Sequence, residues 1–236
     1  RGLGDVYKRQ PVYGFAPDSA REKGASLFYK YQYSINEQDN VIWKNRMLFA
    51  AIFDYRNKID RATYDAGIKI DEKNLPFKVE RYFHMAVMGA SRSYKLWRED
   101  NWKYLLQERH QQDGLSVYLT WGNDKERKAA ESLAAQLGFV KVLPRLRLKE
   151  IAVLLSLSRS LVAVDTGLLH LANALNLPTV GIYPKTSVNN TRTEGRDYQL
   201  IVGGEAALSP QLVSQEWKKA LAYKLREIND ENTGSN

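Results

Sequence analysis

The chain has 236 residues, of which 44% are hydrophobic and 26% are charged, a balance that excludes a disordered or fibrous protein. It contains no cysteine, and no run approaches the roughly 20 apolar residues that cross a bilayer, so disulfides, thiolate chemistry and a membrane span are excluded. With 35 basic and 27 acidic residues, the net charge of +8 favours anionic partners. We therefore expect a cytoplasmic globular protein.

The first 80 residues show few regular elements. Residues 1–10 have no apolar period and no preceding strand, so we interpret them as a junction scar. A helical pattern follows over residues 36–55, with Ile42, Arg46, Phe49 and Phe53 on one face. Few strands are visible around this helix, so the region does not predict a second sheet.

From about residue 84 onward, short apolar runs alternate with longer amphipathic ones, which is typical of repeated βαβ units. Gly138 and Asn176 lie where two of the helices should be capped. The pattern predicts an α/β domain with a doubly wound parallel sheet. Its strands are expected at 84–88, 115–121, 139–143, 160–165, 179–183 and 199–202, and its helices at 99–111, 125–137, 148–157 and 168–175.

A last helix is expected to begin at Ser209, with Pro210 in its first turn, and residues 232–236 are expected to form a frayed tail. Its predicted apolar stripe comprises Val213, Trp217, Leu221 and Ile228.

The segment that ends the fourth strand carries the clearest signal for a ligand. Ligands of open parallel sheets bind beyond the carboxyl ends of the strands, which is where Asp165, Thr166 and Gly167 would lie. Thr166 can cap the following helix, Gly167 leaves room for a close approach, and the helix amino end favours a phosphate. His170 lies one turn further on the same face and can donate to the same anion. A plain capped helix with a satisfied histidine is the alternative that these residues leave open.

The sequence Val-Asp-Thr-Gly-Leu-Leu-His-Leu-Ala-Asn-Ala-Leu at 164–175 resembles the signature of the bacterial lipopolysaccharide heptosyltransferases of glycosyltransferase family 9. Residues 19–29, 90–102 and 121–127 are similar to further stretches of the members that add the first heptose, and the matches keep one order along the chain. The resemblance implies a GT-B architecture, with a Rossmann-like donor domain and only a remnant of the N-terminal acceptor domain.

The same resemblance implies how the donor, ADP-heptose, is held at its phosphates. Lys95 would pair with the diphosphate as a mobile point charge, although a solvated lysine before a helix is the plain alternative. Ser91 stands where the family carries threonine and could donate its hydroxyl to phosphate, whereas Ala90 replaces a second hydroxyl and cannot donate. Asp165, Thr166, Gly167 and His170 would complete the donor site.

Other residues match positions for the nucleoside and for the acceptor. Glu126 would accept hydrogen bonds from both ribose hydroxyls, although Asn123 and Glu126 also fit a helix capping box. Leu146 would lie against adenine, or be an ordinary helix leucine. Arg21 would contact anionic groups of the acceptor, or be an ordinary surface arginine.

The implied reaction is the transfer of L-glycero-D-manno-heptose, with inversion, from ADP-heptose to Kdo of Kdo2-lipid A in lipopolysaccharide inner-core biosynthesis. The chain has no Asp-x-Asp and no His cluster with ligand spacing, so we expect no metal or cofactor. Lys95, the helix end at Thr166 and Gly167, and His170 would then stabilise the charge on the leaving group.

Inversion also requires a base that takes the proton of the acceptor hydroxyl. The family base is an aspartate of a Gly-Asp-Val segment, but no strand precedes Gly4-Asp5-Val6, so we interpret Asp5 as a coincidence. We therefore expect a fragment that binds ADP or ADP-heptose weakly and does not transfer. It would comprise the scar at 1–10, the end of the acceptor domain with the interdomain helix at 11–80, the donor domain at 81–208, and a C-terminal helix and tail at 209–236.

The expected partners are ADP-heptose, Kdo2-lipid A and the anionic surface of the inner membrane, where the basic surplus would help the protein dock on the cytoplasmic face. Nucleic acid is not expected, because the basic residues are scattered and no reading motif occurs, and no obligate protein partner is evident. Two alternatives remain: a family member with another donor or acceptor, and a non-catalytic nucleotide-binding module.

Overall fold

A computed structural model describes residues 10–35, 41–59, 66–71, 75–90, 92–184, 196–204 and 208–233. The described residues fall into two compact units, the first ending at residue 59 and the second beginning at residue 66. The predicted scar, apart from residue 10, lies outside the described residues, as do Asp5 and Ser91.

The first unit contains a small sheet that the sequence analysis missed. Strands β1 (Tyr13–Phe15) and β2 (Tyr31–Tyr33) pair in parallel, and the rings of Tyr13 and Tyr31 stack with their centroids 4.9 Å apart. A 3-10 helix, Lys23–Phe28, lies between the strands in the sequence. The expectation of no second sheet is therefore wrong, because strands of three residues are too short to show an alternating pattern.

Helix α1 (Val41–Ile52) lies within the predicted range, and a short 3-10 helix, Arg56–Lys58, follows it. The predicted apolar face is wrong in part. Phe49 and Phe53 are exposed, and their rings stack on each other at a centroid distance of 6.2 Å. The helix instead buries Trp43, Ala50 and Ala51.

The second unit is built on one six-stranded sheet in which every pairing is parallel, with the order β5-β4-β3-β6-β7-β8. The predicted strands and helices are confirmed, with ends that shift by no more than a few residues. In chain order the elements are β3 (Phe83–Val87), α2 (Glu99–Asp113), β4 (Ser116–Leu119), α3 (Asp124–Gln136), β5 (Val140–Val142), α4 (Leu148–Leu157), β6 (Leu161–Val164), α5 (Gly167–Ala174), β7 (Thr179–Tyr183), β8 (Gln199–Gly203) and α6 (Pro210–Thr233).

Helices cover both faces of this sheet, as a doubly wound fold requires. Alternate residues of each strand point to opposite faces, so Ala86 and Val162 join a core with α2, α3 and α6. Met85 and Leu161 point the other way and pack with α4 and α5. The β3 strand is buried along its whole length.

The helix ends agree only in part with the predicted caps. Asn176 adopts a left-handed conformation, with φ of 57°, just after α5. Gly138 does not have a positive φ, and the N–H of Leu137 instead bonds to the carbonyl of Ala134 at the end of α3. The glycine cap lies at Gly114, which ends α2 with φ of 70°.

Helix α6 begins at Pro210, one residue after the predicted start at Ser209, and the hydroxyl of Ser209 accepts the N–H of Leu212. Trp217 is buried, but Ile228 is 41% exposed, so the predicted stripe is only partly buried. The helix is longer than the sheet that it covers: 24 helical residues span about 36 Å, whereas a strand of five residues spans about 17 Å. The far end of the helix therefore has no strand beneath it. The helix also continues into the predicted tail, as far as Thr233.

Candidate active site

The sheet order places a crevice between β3 and β6. From β3 the chain winds outward in one direction to β4 and β5, and from β6 it winds outward in the other direction to β7 and β8. At such a switch point the loops after the two central strands separate, and this is where ligands of open α/β sheets bind. Residues 88–90 and 92–98 follow β3 and residues 165–166 follow β6, so both segments border the crevice.

An ion pair joins these two segments. Lys95 ends a 3-10 helix after β3, and its Nζ lies 2.6 Å from Oδ2 of Asp165, which directly follows β6. The Asp165 side chain is 7% exposed and the Lys95 side chain 18% exposed, so the pair is largely withdrawn from water. The sequence indicates both residues for the donor site but does not predict that they bind each other.

The amino end of α5 continues directly from this ion pair. Thr166 is the N-cap residue, with an extended backbone, but its hydroxyl accepts no hydrogen bond from the helix. The prediction that the Thr166 side chain caps the helix is therefore wrong. No acidic residue lies in the first turn of α5, and a Cβ atom built on Gly167 would meet no atom within 4 Å. The positive end of the helix dipole is thus approachable at Gly167.

His170 lies on the first turns of the same helix and is half-buried. Burial lowers the pKa of its imidazole, the negative charge of Asp165 opposes this shift, and the positive charge of Lys95 adds to it. The ring is therefore neutral at pH 7 and can donate through one nitrogen. These effects place His170 within electrostatic reach of both members of the ion pair.

The structure places Glu126 at the start of α3, after the neighbouring strand β4. Its Oε2 accepts the N–H of Gly122 at 2.7 Å, and its Oε1 accepts an Nδ2 hydrogen of Asn123 at 2.8 Å. The Oδ1 of Asn123 in turn accepts the N–H of Glu126 at 3.0 Å. Only half of the predicted capping box is thus present, because Asn123 caps α3 whereas Glu126 binds the N–H of Gly122 and the side chain of Asn123. A ribose role for Glu126 stays a prediction.

The carboxylate of Glu126 also lies against Gly89, at the end of β3. A Cβ atom at residue 89 would lie 2.6 and 2.7 Å from its two oxygens. Sequence analysis missed Gly89. The available signal was a glycine two residues after a fully buried strand, where a close approach by another group is common.

Two further predicted residues are placed without a tested role. Leu146 is partly buried and packs against the apolar cluster beneath α4 and α5. Arg21 is an exposed residue of the first unit. Among the described residues no three His, Asp or Glu side chains are grouped so that they could hold a metal ion. Within the same residues, no helix is long and apolar enough to cross a membrane.

Comparison with known families identifies the chain. The family model for the heptosyltransferases, glycosyltransferase family 9, matches residues 3–221. The chain belongs to glycosyltransferase family 9. The matched range takes in Asp5, and the family expected from residues 164–175 is confirmed.

Curated members of family 9 align with most of this chain. Lipopolysaccharide heptosyltransferase 1 of Pseudomonas aeruginosa is 36% identical over 221 residues, which are 92% of this chain and 58% of that protein. The Escherichia coli K12 protein of the same name is 32% identical over 174 residues, which are 74% of this chain and 54% of its own length. The chain therefore spans a little over half the length of these relatives.

Solved structures of the family share the fold. The structure named E. coli heptosyltransferase WaaC with ADP has a TM-score of 0.70 and 26% identity, and the match covers 88% of this chain and 65% of that chain. A second WaaC structure, with ADP-2-deoxy-2-fluoro heptose, has a TM-score of 0.67 over 94% of this chain and 65% of that chain. These matches, with the six-stranded sheet, confirm the predicted GT-B fold class.

Proposed function

We propose that this family 9 chain binds ADP-heptose and that the protein acts as a glycosyltransferase in lipopolysaccharide core biosynthesis. One observation carries the proposal: Lys95, Asp165 and the amino end of α5 converge at the switch point between β3 and β6. The WaaC structures contain ADP and an ADP-heptose analogue, and the curated relatives are named lipopolysaccharide heptosyltransferase 1, which supports this choice of donor.

The arrangement suits departure of a nucleoside diphosphate. When the bond between the sugar and the diphosphate breaks, negative charge gathers on the departing phosphate oxygens. Lys95 would turn from Asp165 toward that charge, the N–H groups at the start of α5 would donate to it, and neutral His170 would add one N–H. Asp165 holds the ammonium of Lys95 at the crevice before the donor arrives.

The finer features of the reaction belong to the same proposal. Heptose would pass with inversion to a Kdo hydroxyl of Kdo2-lipid A, and these three groups would stabilise the leaving diphosphate without a metal ion. A base must take the proton of that hydroxyl, and no described residue is assigned this role. The net charge of +8 supports docking on the anionic cytoplasmic face of the inner membrane. Binding to anionic vesicles that weakens as salt is raised is the expected result, and binding that is independent of salt would contradict the docking.

A panel of nucleotides tests the donor. We expect ADP to raise the midpoint of thermal unfolding more than UDP, GDP or NAD at equal concentration, because only ligands of the native state stabilise it. A preference for UDP or GDP would assign a different donor. A preference for NAD would favour a dinucleotide-binding module, and no shift with any of the four nucleotides would contradict the donor site.

A further inference from the structure

The carboxylate of Glu126 accepts a hydrogen bond on each of its two oxygens. The N–H of Gly122 binds one oxygen and the side-chain amide of Asn123 binds the other. The return bond from the Glu126 N–H to Asn123 fixes the amide itself. A carboxylate oxygen can accept more than one hydrogen bond, so each oxygen keeps capacity for a further donor.

The absence of a side chain at Gly89 leaves the space that this carboxylate occupies at the end of β3. Gly89 is not among the residues with positive φ, so an alanine could adopt its backbone conformation. The space is what excludes a side chain, because a Cβ atom would come within 2.6 and 2.7 Å of the two carboxylate oxygens. The obstructing atoms are the far end of a flexible side chain, so an alanine would displace the Glu126 carboxylate and leave the backbone in place.

We propose that Gly89 is a positioning residue that makes the donor site selective for a ribonucleotide over a 2′-deoxyribonucleotide. The inference rests on the proposed function and on the ribose role of Glu126 that the family resemblance implies, in which Glu126 accepts the two ribose hydroxyls. A vicinal diol offers two O–H donors to the two held oxygens, whereas 2′-deoxyribose offers one and leaves the second oxygen without its partner. The selectivity therefore depends on the carboxylate staying over residue 89.

Calorimetric titration of ADP and 2′-deoxyADP measures this selectivity directly. The native chain should bind ADP about tenfold more tightly than 2′-deoxyADP, because ADP makes one more hydrogen bond to the charged carboxylate. In Gly89→Ala the affinity for ADP should fall about a hundredfold, because two hydrogen bonds to the carboxylate are lost, and the affinity for 2′-deoxyADP should fall about tenfold, because one is lost. The preference for ADP should thus be largely lost, while the thermal midpoint stays within about 3 °C of the native value.

Gly138→Ala is the matched control, because a Cβ atom at residue 138 meets nothing within 4 Å and its φ is not positive. This control should keep the native preference. In a double-mutant cycle, Gly89→Ala should have no further effect on ADP affinity once Glu126 is alanine, since the displaced group is then absent. Additive losses of affinity in the cycle would overturn the inference.

The failures of the two proposals are distinguishable. Equal affinity of the native chain for ADP and 2′-deoxyADP would contradict the ribose role of Glu126, and with it the inference. A native preference that survives unchanged in Gly89→Ala would overturn the inference alone. Absence of ADP binding by the native chain would overturn both proposals.

Discussion

The two ends of the parallel sheet carry similar polar residues, which differ in how far they are bonded to other protein groups. At the amino end, Nδ1 of His84 lies 2.7 Å from Oγ of Ser160, and its Nε2 lies 2.9 Å from Oδ2 of Asp113. Arg109 approaches the same carboxylate oxygen at 3.0 Å, and the indole of Trp217 donates to Ser160 at 2.7 Å. Hydrogen bonds thus join His84, Ser160, Asp113 and Trp217, and an ion pair to Asp113 adds Arg109.

At the carboxyl end, the polar groups are only partly engaged. Lys95 and Asp165 bind each other, but the hydroxyl of Thr166 does not cap α5 and the space in front of Gly167 is open. Residue type alone therefore does not mark a functional site. A Ser-His-Asp trio is present at the amino end, yet its serine is fully buried and receives the indole N–H, so it stabilises the fold and is closed to a substrate.

The largest effect should come from Asp113→Ala at the amino end. This change leaves the guanidinium of Arg109, which is 7% exposed, without its carboxylate, and it removes a partner of His84. Breaking one partner of a buried ion pair costs about 3–5 kcal/mol, so the free energy of unfolding measured with urea should fall by about that amount.

The folded fraction of Asp113→Ala should still bind ADP with native affinity. A loss of ADP affinity larger than about threefold would mean that the amino end also shapes the donor site, and the contrast between the two ends would then fail. The surface pair of Arg98 and Asp100 supplies a matched control, because both side chains are more than three-quarters exposed. Asp100→Ala should change the free energy of unfolding by less than about 1 kcal/mol.

The sequence predicted the sheet well and predicted the contacts across it poorly. Buried strands and amphipathic helices are local patterns, so their positions and the position of Asp165 could be recognised along the chain. The ion pair from Lys95 to Asp165 depends on β3 and β6 being neighbours, and the pairing of His84 with Ser160 joins residues 76 positions apart. Such contacts, like the approach of Glu126 to Gly89, arise from strand order and not from any local period.

The second effect is a dependence of stability on pH. Burial lowers the pKa of His84 and of His170 below 6.5, so below that pH the unfolded chain binds protons that the folded chain does not. The free energy of unfolding should therefore fall as the pH drops from 7.5 to 5.5, with a slope of up to about 1.4 kcal/mol per pH unit for each histidine.

The variant His170→Gln removes the contribution of the carboxyl end of the sheet to this pH dependence and leaves that of His84 at the amino end. Because His84 is fully buried and His170 only half-buried, the larger part of the slope should remain in the variant. Stability that is independent of pH in the native chain, or a slope that vanishes in His170→Gln, would contradict the assignment of the slope to the amino end.

The smallest change in stability is expected at Thr166, whose hydroxyl does not cap α5. Thr166→Val should change the free energy of unfolding by less than about 0.5 kcal/mol and weaken ADP binding about tenfold. Asn123→Ala gives the matched comparison, because the side chain of Asn123 does cap its helix. This substitution should lower the free energy of unfolding by about 1 kcal/mol. A stability loss in Thr166→Val as large as that in Asn123→Ala would show that its hydroxyl caps the helix after all.

Titration of ADP and AMP into the native chain and Lys95→Ala tests the central claim most directly. A diphosphate placed between Lys95 and the start of α5 predicts that the native chain binds ADP at least about tenfold more tightly than AMP, and that Lys95→Ala loses most of this difference. Equal affinities for ADP and AMP in the native chain, or a native difference that is unchanged in Lys95→Ala, would contradict that placement.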